Sequence, residues 1–235
     1  MGLFDTLAAA NAGKRALNEQ RKGNYAQAEE LYREAFQKGL TNIGQLSNFT
    51  GLLVRGGKFD EALEVIKKTE KIGGLTDKDK LNMHIQYAVI LWRKGHLDHA
   101  LEILQEDFKR TKNGTMYAVI GYLLIEKGDA EKALAFNMDA LDYDDEDPIF
   151  LENVAQVYYR LMNDKENARE YFEKVLQFKP TAIDTNYFLA QYDIEEGNLD
   201  KARERLNTAA KGRFSQLNYA TPEMIQASLQ KLDKA

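Results

Sequence analysis

The sequence predicts an all-α solenoid of six helical pairs closed by one further helix. Three observations carry this. The string Gly-x-x-x-x-Ala is written five times, starting at Gly23, Gly57, Gly95, Gly128 and Gly197, and a sixth time with Asn163 in place of Gly. Its alanines stand at 28, 62, 100, 133, 168 and 202, giving steps of 34, 38, 33, 35 and 34 residues. A period of about 34 is that of a helix–turn–helix repeat. After each Ala the apolar spacing is helical, as in Leu31, Tyr32, Ala35 and Phe36 after Ala28, or Tyr171, Phe172, Val175 and Leu176 after Ala168. Such a stripe faces a core.

The unit has a physical logic. Gly ends a helix because it accepts the left-handed conformation of a C-terminal cap, and Asn is the next most tolerant residue there. A polar residue and then a packing residue follow, such as Tyr25, Phe59, Leu97 or Leu199. The Ala of the second helix points at the first. Seven residues before the Gly stands another small or medium residue, Ala16, Thr50, Ala88, Gly121 or Ala190. Small against small lets two antiparallel helices approach closely.

In chain order, residues 3–22 read as a long first helix, paired with 25–38 and closed by Gly39. Helices at 43–56 and 59–72 form the second pair, and Gly73 to Asp79 is the longest internal connection. The third pair is 80–94 with 97–112, closed by Asn113-Gly114; the fourth is 115–127 with 130–142. The acidic run Asp142 to Asp147 leads to the fifth, 148–162 with 165–178, and the sixth is 182–196 with 199–211. The last helix starts at Thr221, an N-cap residue, with Pro222 in its first turn. It places Met224, Ile225, Leu229 and Leu232 on one face and Gln226, Gln230, Lys231 and Lys234 on the other. That suits the end of an array, with one face on the last repeat and one in water. The whole reads as one domain, 1–235, with repeats at about 9–42, 43–79, 80–113, 114–147, 148–180 and 181–212 and a capping helix at 221–234.

Composition narrows the function. With 235 residues and 44% hydrophobic content the chain can bury a sizeable interior. It has no Cys, which removes disulfides and thiolate metal sites and is compatible with a reducing, cytoplasmic setting. A net charge of −5 argues against a nucleic-acid surface. No apolar run reaches the ~20 residues of a membrane span. The start lacks a signal-peptide pattern but fits the loose myristoylation string, Gly2 with Thr6. The competing reading makes Leu3, Phe4 and Leu7 the apolar face of the first helix.

The repeats resemble the tetratricopeptide repeat. The clearest copy runs from Asn153 to Pro180, with Ala155 and Tyr158 in its first helix and Ala168, Phe172 and Pro180 after it. Another has Tyr117, Ile120, Gly121 and Leu124 ahead of Gly128. The likeness covers about residues 9–212. Departures are local: Arg15 and Glu19 in the first copy, the insertion at Gly73 to Asp77, the polar Asn137 in the fourth, and one extra residue near Met162 with Lys165 as packing residue in the fifth. The resemblance implies a right-handed superhelix whose first helices line a concave groove for peptides or partner helices. The residues it places there are Arg21, Arg55, Arg93 and Arg160 near the helix ends, with Glu126 and Glu195 in the remaining repeats. Cations at those ends are equally explained by the helix dipole. It also places Trp92, Tyr122, Tyr159 and Tyr187 there as aromatic anchors, interleaved with the amides Asn48, Asn82, Gln86, Asn153, Gln156 and Gln191. Some of these aromatics could instead fill between helices. Family members that grip chaperone tails use a cluster of Lys, Arg and Asn. Gly13, Leu17, Asn82 and Gln86 break that pattern, only Asn48 fits, and no such clamp is expected.

Other chemistry is weak. His96 and His99 flank Asp98 with His84 in the preceding helix, but His84 falls with Tyr87, Ala88 and Leu91, and a zinc site needs three or four converging ligands. The Asp142 to Asp147 run fails the calcium-loop pattern, lacking Gly at its sixth position and Glu at its twelfth; Asp147 reads as the cap of the helix at Pro148. Ser228-Leu229-Gln230-Lys231 matches a Ser-x-x-Lys string without companions. No phosphate loop or nucleophile elbow is present. The expectation is a non-enzymatic scaffold without metal or cofactor. It binds a protein or peptide of unspecified identity, centred on Trp92, Arg93, Tyr122 and Tyr159. A self-associating module is the alternative, followed by a peptide-sensing regulator or an enzyme subunit.

Overall fold

The computed structural model describes residues 3–234, with the side chains of the first three of these left aside. Gly2, and with it the lipidation string, lies outside the described residues. Among the described residues there are thirteen α-helices and no strand. They are α1 (Leu3–Arg21), α2 (Tyr25–Gln37), α3 (Ile43–Arg55), α4 (Phe59–Glu70), α5 (Asp77–Arg93), α6 (Leu97–Arg110) and α7 (Gly114–Lys127). Then come α8 (Ala130–Tyr143), α9 (Pro148–Gln156), α10 (Lys165–Phe178), α11 (Ile183–Glu195), α12 (Leu199–Ala210) and α13 (Pro222–Leu232). The chain packs as two compact units that divide within α6, between Leu104 and Gln105.

The turn motif does what its residues require. Gly23, Gly57, Gly95, Gly128 and Gly197 all have φ between 73° and 89°, and Asn163, at 53°, is the one non-Gly residue with positive φ among those described. An L side chain is strained there and Asn least so. All six motif alanines have no exposed surface. Each packs in the second helix of its pair, and the small residues Ala16, Thr50, Ala88, Gly121 and Ala190 are buried in the first helices.

In the first unit α2 buries Ala28, Leu31, Tyr32 and Ala35, and α3 buries Leu46, Phe49 and Leu53. Tyr32 stacks on Phe49 with ring centroids 5.9 Å apart. Leu7 does not join this core; it is largely exposed. At 1.5 Å per residue, α1 is roughly 9 Å longer than its antiparallel partner α2. The α5 helix starts earlier than its apolar pattern, because Thr76 and Asp79 form a reciprocal capping box.

In the second unit the extra residue of the fifth repeat is absorbed without breaking the helix. Val157–Met162 continue α9 as a π-helical turn, which ends at Asn163. A π turn is the usual way an inserted residue is carried inside a helix. Asp147 caps α9 by accepting from the Ile149 amide at 2.7 Å, and Thr221 caps α13 from Met224 at 3.2 Å. Helix α13 buries Ile225, Ser228 and Leu232, and its apolar residues join Ile183, Ala190, Leu206 and Ala209 in one cluster. Ser228 is therefore a packed residue of that face.

Candidate functional site

The first helices of the pairs carry the residues of interest, and in each unit side-chain amides tie neighbouring first helices together. In the first unit Gln86 of α5 donates from Nε2 to the Ser47 carbonyl of α3 at 3.1 Å. That carbonyl lies one turn before Gly51, and Gln86 Nε2 passes 3.5 Å from the place a Cβ would take on Gly51. In the second unit Asn153 of α9 donates to the Ala118 carbonyl of α7 at 3.1 Å, beside Gly121. Helical carbonyls have a second lone pair. A mid-helix Gly uncovers it, at a cost of about 1 kcal/mol against Ala. Gln86 and Asn153 are thus occupied between helices. The expectation that they face a partner needs correcting, for Asn153 above all, which is buried.

On the first unit, Arg21 and Arg93 are exposed, and Asn48, Arg55, Asn82 and Trp92 are partly exposed. The Arg93 guanidinium lies 5.0 Å from the centre of the Trp92 ring. Asn48 Nδ2 sits 3.5 Å from the Tyr32 hydroxyl, which donates to Gln20 at 3.0 Å. Gly13 is buried, and any side chain there would collide with the Gln45 carboxamide. A Lys at the first clamp position would therefore require the Gln45 side chain to move. Among the described residues no group of three or more His, Cys, Asp or Glu is placed to hold a metal ion.

On the second unit Tyr122, Asn153 and Gln156 are buried, while Tyr159, Arg160, Tyr187 and Gln191 are partly exposed. Tyr122 is 5% exposed, so it is not an exposed anchor. Burial, then the charges of Glu126 and Asp184, hold its hydroxyl above the usual phenol range, with Arg160 acting against them. Arg160 bonds Glu126 at 2.7 Å and Gln156 at 2.9 Å. Gln156 is buried as well and does not reach solvent. Tyr159 packs between Phe188 at 4.7 Å and Tyr192 at 5.7 Å. Tyr187 lies 5.7 Å from Phe188, and Gln191 donates to the Tyr187 carbonyl at 3.2 Å.

Residues that the sequence pattern did not single out complete this face. Asp184 shares one side of α11 with Tyr187 and Gln191, at i, i+3 and i+7. It is buried and accepts from the amides of Tyr219 and Ala220, each at 2.9 Å, and from Asn218 Nδ2 at 3.4 Å. The Tyr219 ring stacks on Phe188 at 4.9 Å, and the Arg160 guanidinium sits 4.3 Å from its centre. The connection between α12 and α13 therefore runs back over α9 and α11. Glu152 of α9 accepts from the Thr185 amide at 2.9 Å and its hydroxyl at 2.6 Å. Burial first and the Asp184 charge next push the Glu152 carboxyl up to about 7. Burial also raises the Asp184 carboxyl, against the donors it receives. An aromatic within an interhelical connection, Asn218-Tyr219-Ala220, was the one signal available for this contact.

Comparison with known proteins agrees with the geometry. The family described as Tetratrico peptide repeat matches residues 9–52 and 48–144, and Tetratricopeptide repeat matches residues 159–220. A TPR repeat-containing protein of Methanocaldococcus jannaschii is 25% identical over 162 residues, 68% of this chain and 28% of the relative. The chain thus spans little more than a quarter of that relative's length. A tetratricopeptide repeat protein from Parabacteroides merdae superposes with a TM-score of 0.74 at 15% identity, covering 97% of this chain and 84% of the other. A thermophilic TPR protein from Thermus thermophilus gives 0.62 at 21% identity, covering 78% and 98%. The family match covers more than half of the chain, and the chain belongs to the tetratricopeptide repeat family, an all-α repeat solenoid.

Proposed function

We propose that the chain is a non-catalytic scaffold that holds a peptide segment or partner protein on the first-helix face of α1, α3 and α5. Proteins of this family generally mediate protein–protein interactions and scaffolding. The observation that supports this face is the exposed or half-exposed set Arg21, Arg55, Trp92 and Arg93 on the ends of three successive first helices. Aromatic and Arg side chains together are the usual anchors of interfaces. Their charge suits a partner with an acidic segment next to an apolar residue, steered by complementary potential. Asn82 and Asn48 flank them as adaptable hydrogen-bonding groups. The location proposed is the cytoplasm, with which a cysteine-free chain is compatible. No described helix is long and apolar enough to cross a membrane.

Trp92 is the only tryptophan, so its emission reports the site directly. Peptides selected by display against the protein should shift that emission on binding. The triple reversal Arg21→Glu, Arg55→Glu, Arg93→Glu should weaken them at least tenfold. Peptides that bind with unchanged emission and tolerate the triple reversal would place the site elsewhere. A mass that rises with concentration in light scattering, and is abolished by the same reversal, would favour a second copy of the chain as the partner.

A further inference from the structure

The junction of α8 and α9 carries more negative charge than its local structure uses. From residue 133 to residue 159 the chain has no Lys or Arg, and its carboxylates are Asp139, Asp142, Asp144, Asp145, Glu146, Asp147 and Glu152. Part of this run has a local cause. Asp147 caps α9, and Asp144 accepts from the Glu146 amide at 3.2 Å. Both precede the positive end of α9, where carboxylates are favoured. Asp142 has no such cause. It stands in the last turn of α8, which has no basic residue, at the negative end of that helix. The flanking cations are engaged elsewhere, Lys132 with Asp129 at 2.8 Å and Arg160 with Glu126 at 2.7 Å. Asp139, Asp142, Asp145 and Glu146 are all exposed.

Aromatic rings lie beside these carboxylates. Tyr117 of α7 donates its hydroxyl to Asp139 at 2.8 Å. Around its ring pack Phe108 of α6 at 4.8 Å, Phe136 of α8 at 5.6 Å and Tyr143 of α8 at 5.0 Å. Phe108 and Phe136 are partly exposed, and Tyr143 is 53% exposed. Ile149, just past the other end of the acidic run, is exposed as well. The chain itself shows how a cation sits on this cluster, because Lys112 Nζ lies 5.2 Å from the centre of the Phe108 ring. A lone exposed apolar side chain needs no explanation, whereas a ring cluster with a polar rim has the form of an interaction site.

We propose that Phe136 and Tyr143, with Asp142, Asp145 and Glu146, dock an arginine-rich segment of a partner protein. One guanidinium lies against the exposed rings, and its neighbours pair with the carboxylates. Arg suits this edge better than Lys, since its planar, weakly hydrated group stacks on rings and bonds carboxylates through two donors. Charge selects the occupant: a rim of carboxylates without a cation repels acidic segments and phosphate backbones and attracts cationic ones. The docked cation also supplies the positive charge that the end of α8 lacks. A local rule broken at Asp142 is the kind of violation expected at a functional position. This edge lies within the second unit, shares no residue with the first-unit face and selects the opposite charge, so the two readings stand or fall separately.

The test uses the full chain and a labelled peptide, Gly-Arg-Ser-Arg-Arg-Ser-Arg-Gly, read by anisotropy at about 50 mM salt, where exposed charges are only partly screened. Saturable binding is expected. Tyr143→Ala, which changes no charge, should weaken it about fivefold, and Tyr143→Phe should keep it within about twofold. The triple Asp142→Asn, Asp145→Asn, Glu146→Gln should weaken it at least about tenfold. The triple Glu166→Gln, Glu170→Gln, Glu173→Gln on α10 removes the same net charge and should weaken it by no more than about twofold. Every residue altered is exposed, so the variants should keep the wild-type circular dichroism. Equal losses from the two triples, or unchanged binding by Tyr143→Ala, would reduce the effect to net charge and overturn the proposal. Absence of saturation at about 1 mM peptide would overturn it too. In light scattering without peptide, a mass that rises with concentration and falls back in the first triple would make a second copy the occupant, against the partner protein proposed.

Discussion

Gly121→Ala tests the packing of the second unit. Gly121 is buried in α7, and a Cβ there would collide with Asn137 Oδ1, approach Asn153 Nδ2 to 2.9 Å and approach Asn137 Cγ to 3.0 Å. Neither amide can simply move aside. Asn137 donates to the carbonyls of Ala133 at 2.9 Å and Gly121 at 3.3 Å, and Asn153 donates to Ala118 at 3.1 Å. Helix propensity favours Ala by about 1 kcal/mol. Overpacking a closed site costs about 1–3 kcal/mol. Disturbing two or three buried hydrogen bonds costs about 1 kcal/mol each. The net expectation is a loss of about 2–5 kcal/mol. Urea unfolding followed by circular dichroism measures it as a lowered midpoint. Asn137→Ala added to Gly121→Ala removes the collision and the buried Oδ1, which has no hydrogen-bond partner. It should recover about 1 kcal/mol, a coupling that contacting residues show and distant ones do not. A Gly121→Ala protein more stable than wild type would refute the reasoning, because propensity alone would then decide the sign.

Three further outcomes follow from single sites. Glu152 has its carboxyl raised from 4.5 to about 7 by burial and the Asp184 charge. Its contribution to stability is fully present below pH 4.5 and is lost as pH rises from there through about 7, by about 1–3 kcal/mol. Glu152→Gln, which keeps the acceptor for Thr185, should flatten that part of a pH–midpoint curve, and an unchanged slope would contradict the assignment. Asn163→Ala, at φ 53°, should cost about 1 kcal/mol. Asn163→Gly should be neutral within a few tenths, and equal thermal midpoints for the two variants would deny the backbone argument. Asp193, buried with Arg205 at 2.7 Å and Lys201 at 3.0 Å, should cost about 3 kcal/mol as Asp193→Ala. Arg205→Met on that background should return part of the loss.

Local chemistry was legible where one residue decides one backbone state. The turn glycines and Asn163 stand out because positive φ penalises every other side chain, and the motif alanines because two helices meet there. Thr221, Asp147 and the apolar face of α13 were equally readable, since caps and stripes are written within a few residues. The contacts across repeats were not. Gln86 meeting Ser47 and Asn153 meeting Ala118 join residues 39 and 35 apart. Their only trace in the sequence is a mid-helix Gly facing an amide one repeat later. Tyr122 and Gln156 were expected at an open surface because helical position gives direction but not cover. Tyr122 instead lies near Glu126, Asp184 and Arg160, and Gln156 accepts from Arg160, whose guanidinium sits against the Tyr219 ring in a segment with no periodicity to read.

The two units therefore put the same helix positions to different uses. On α1, α3 and α5 the helix ends carry Arg21, Arg55 and Arg93, like charges that cannot pair with one another. On α7 and α9 the same ends carry Glu126 and Arg160, which pair at 2.7 Å with little exposure. An ion pair so enclosed repays its desolvation only when its remaining donors and acceptors are met. Here Gln156 and the Tyr219 ring meet them. Alternating charge thus lets the second unit close over its own chain. Under the function proposed above, the uniform charge of the first unit's face would attract an acidic segment. Exchanging the patterns tests this logic: Arg55→Glu should change the stability of the first unit by no more than about 1 kcal/mol, the scale of an exposed ion pair. The same substitution should weaken capture of acidic peptides. Stability and binding moving together would show that charge alternation is not what separates the two faces.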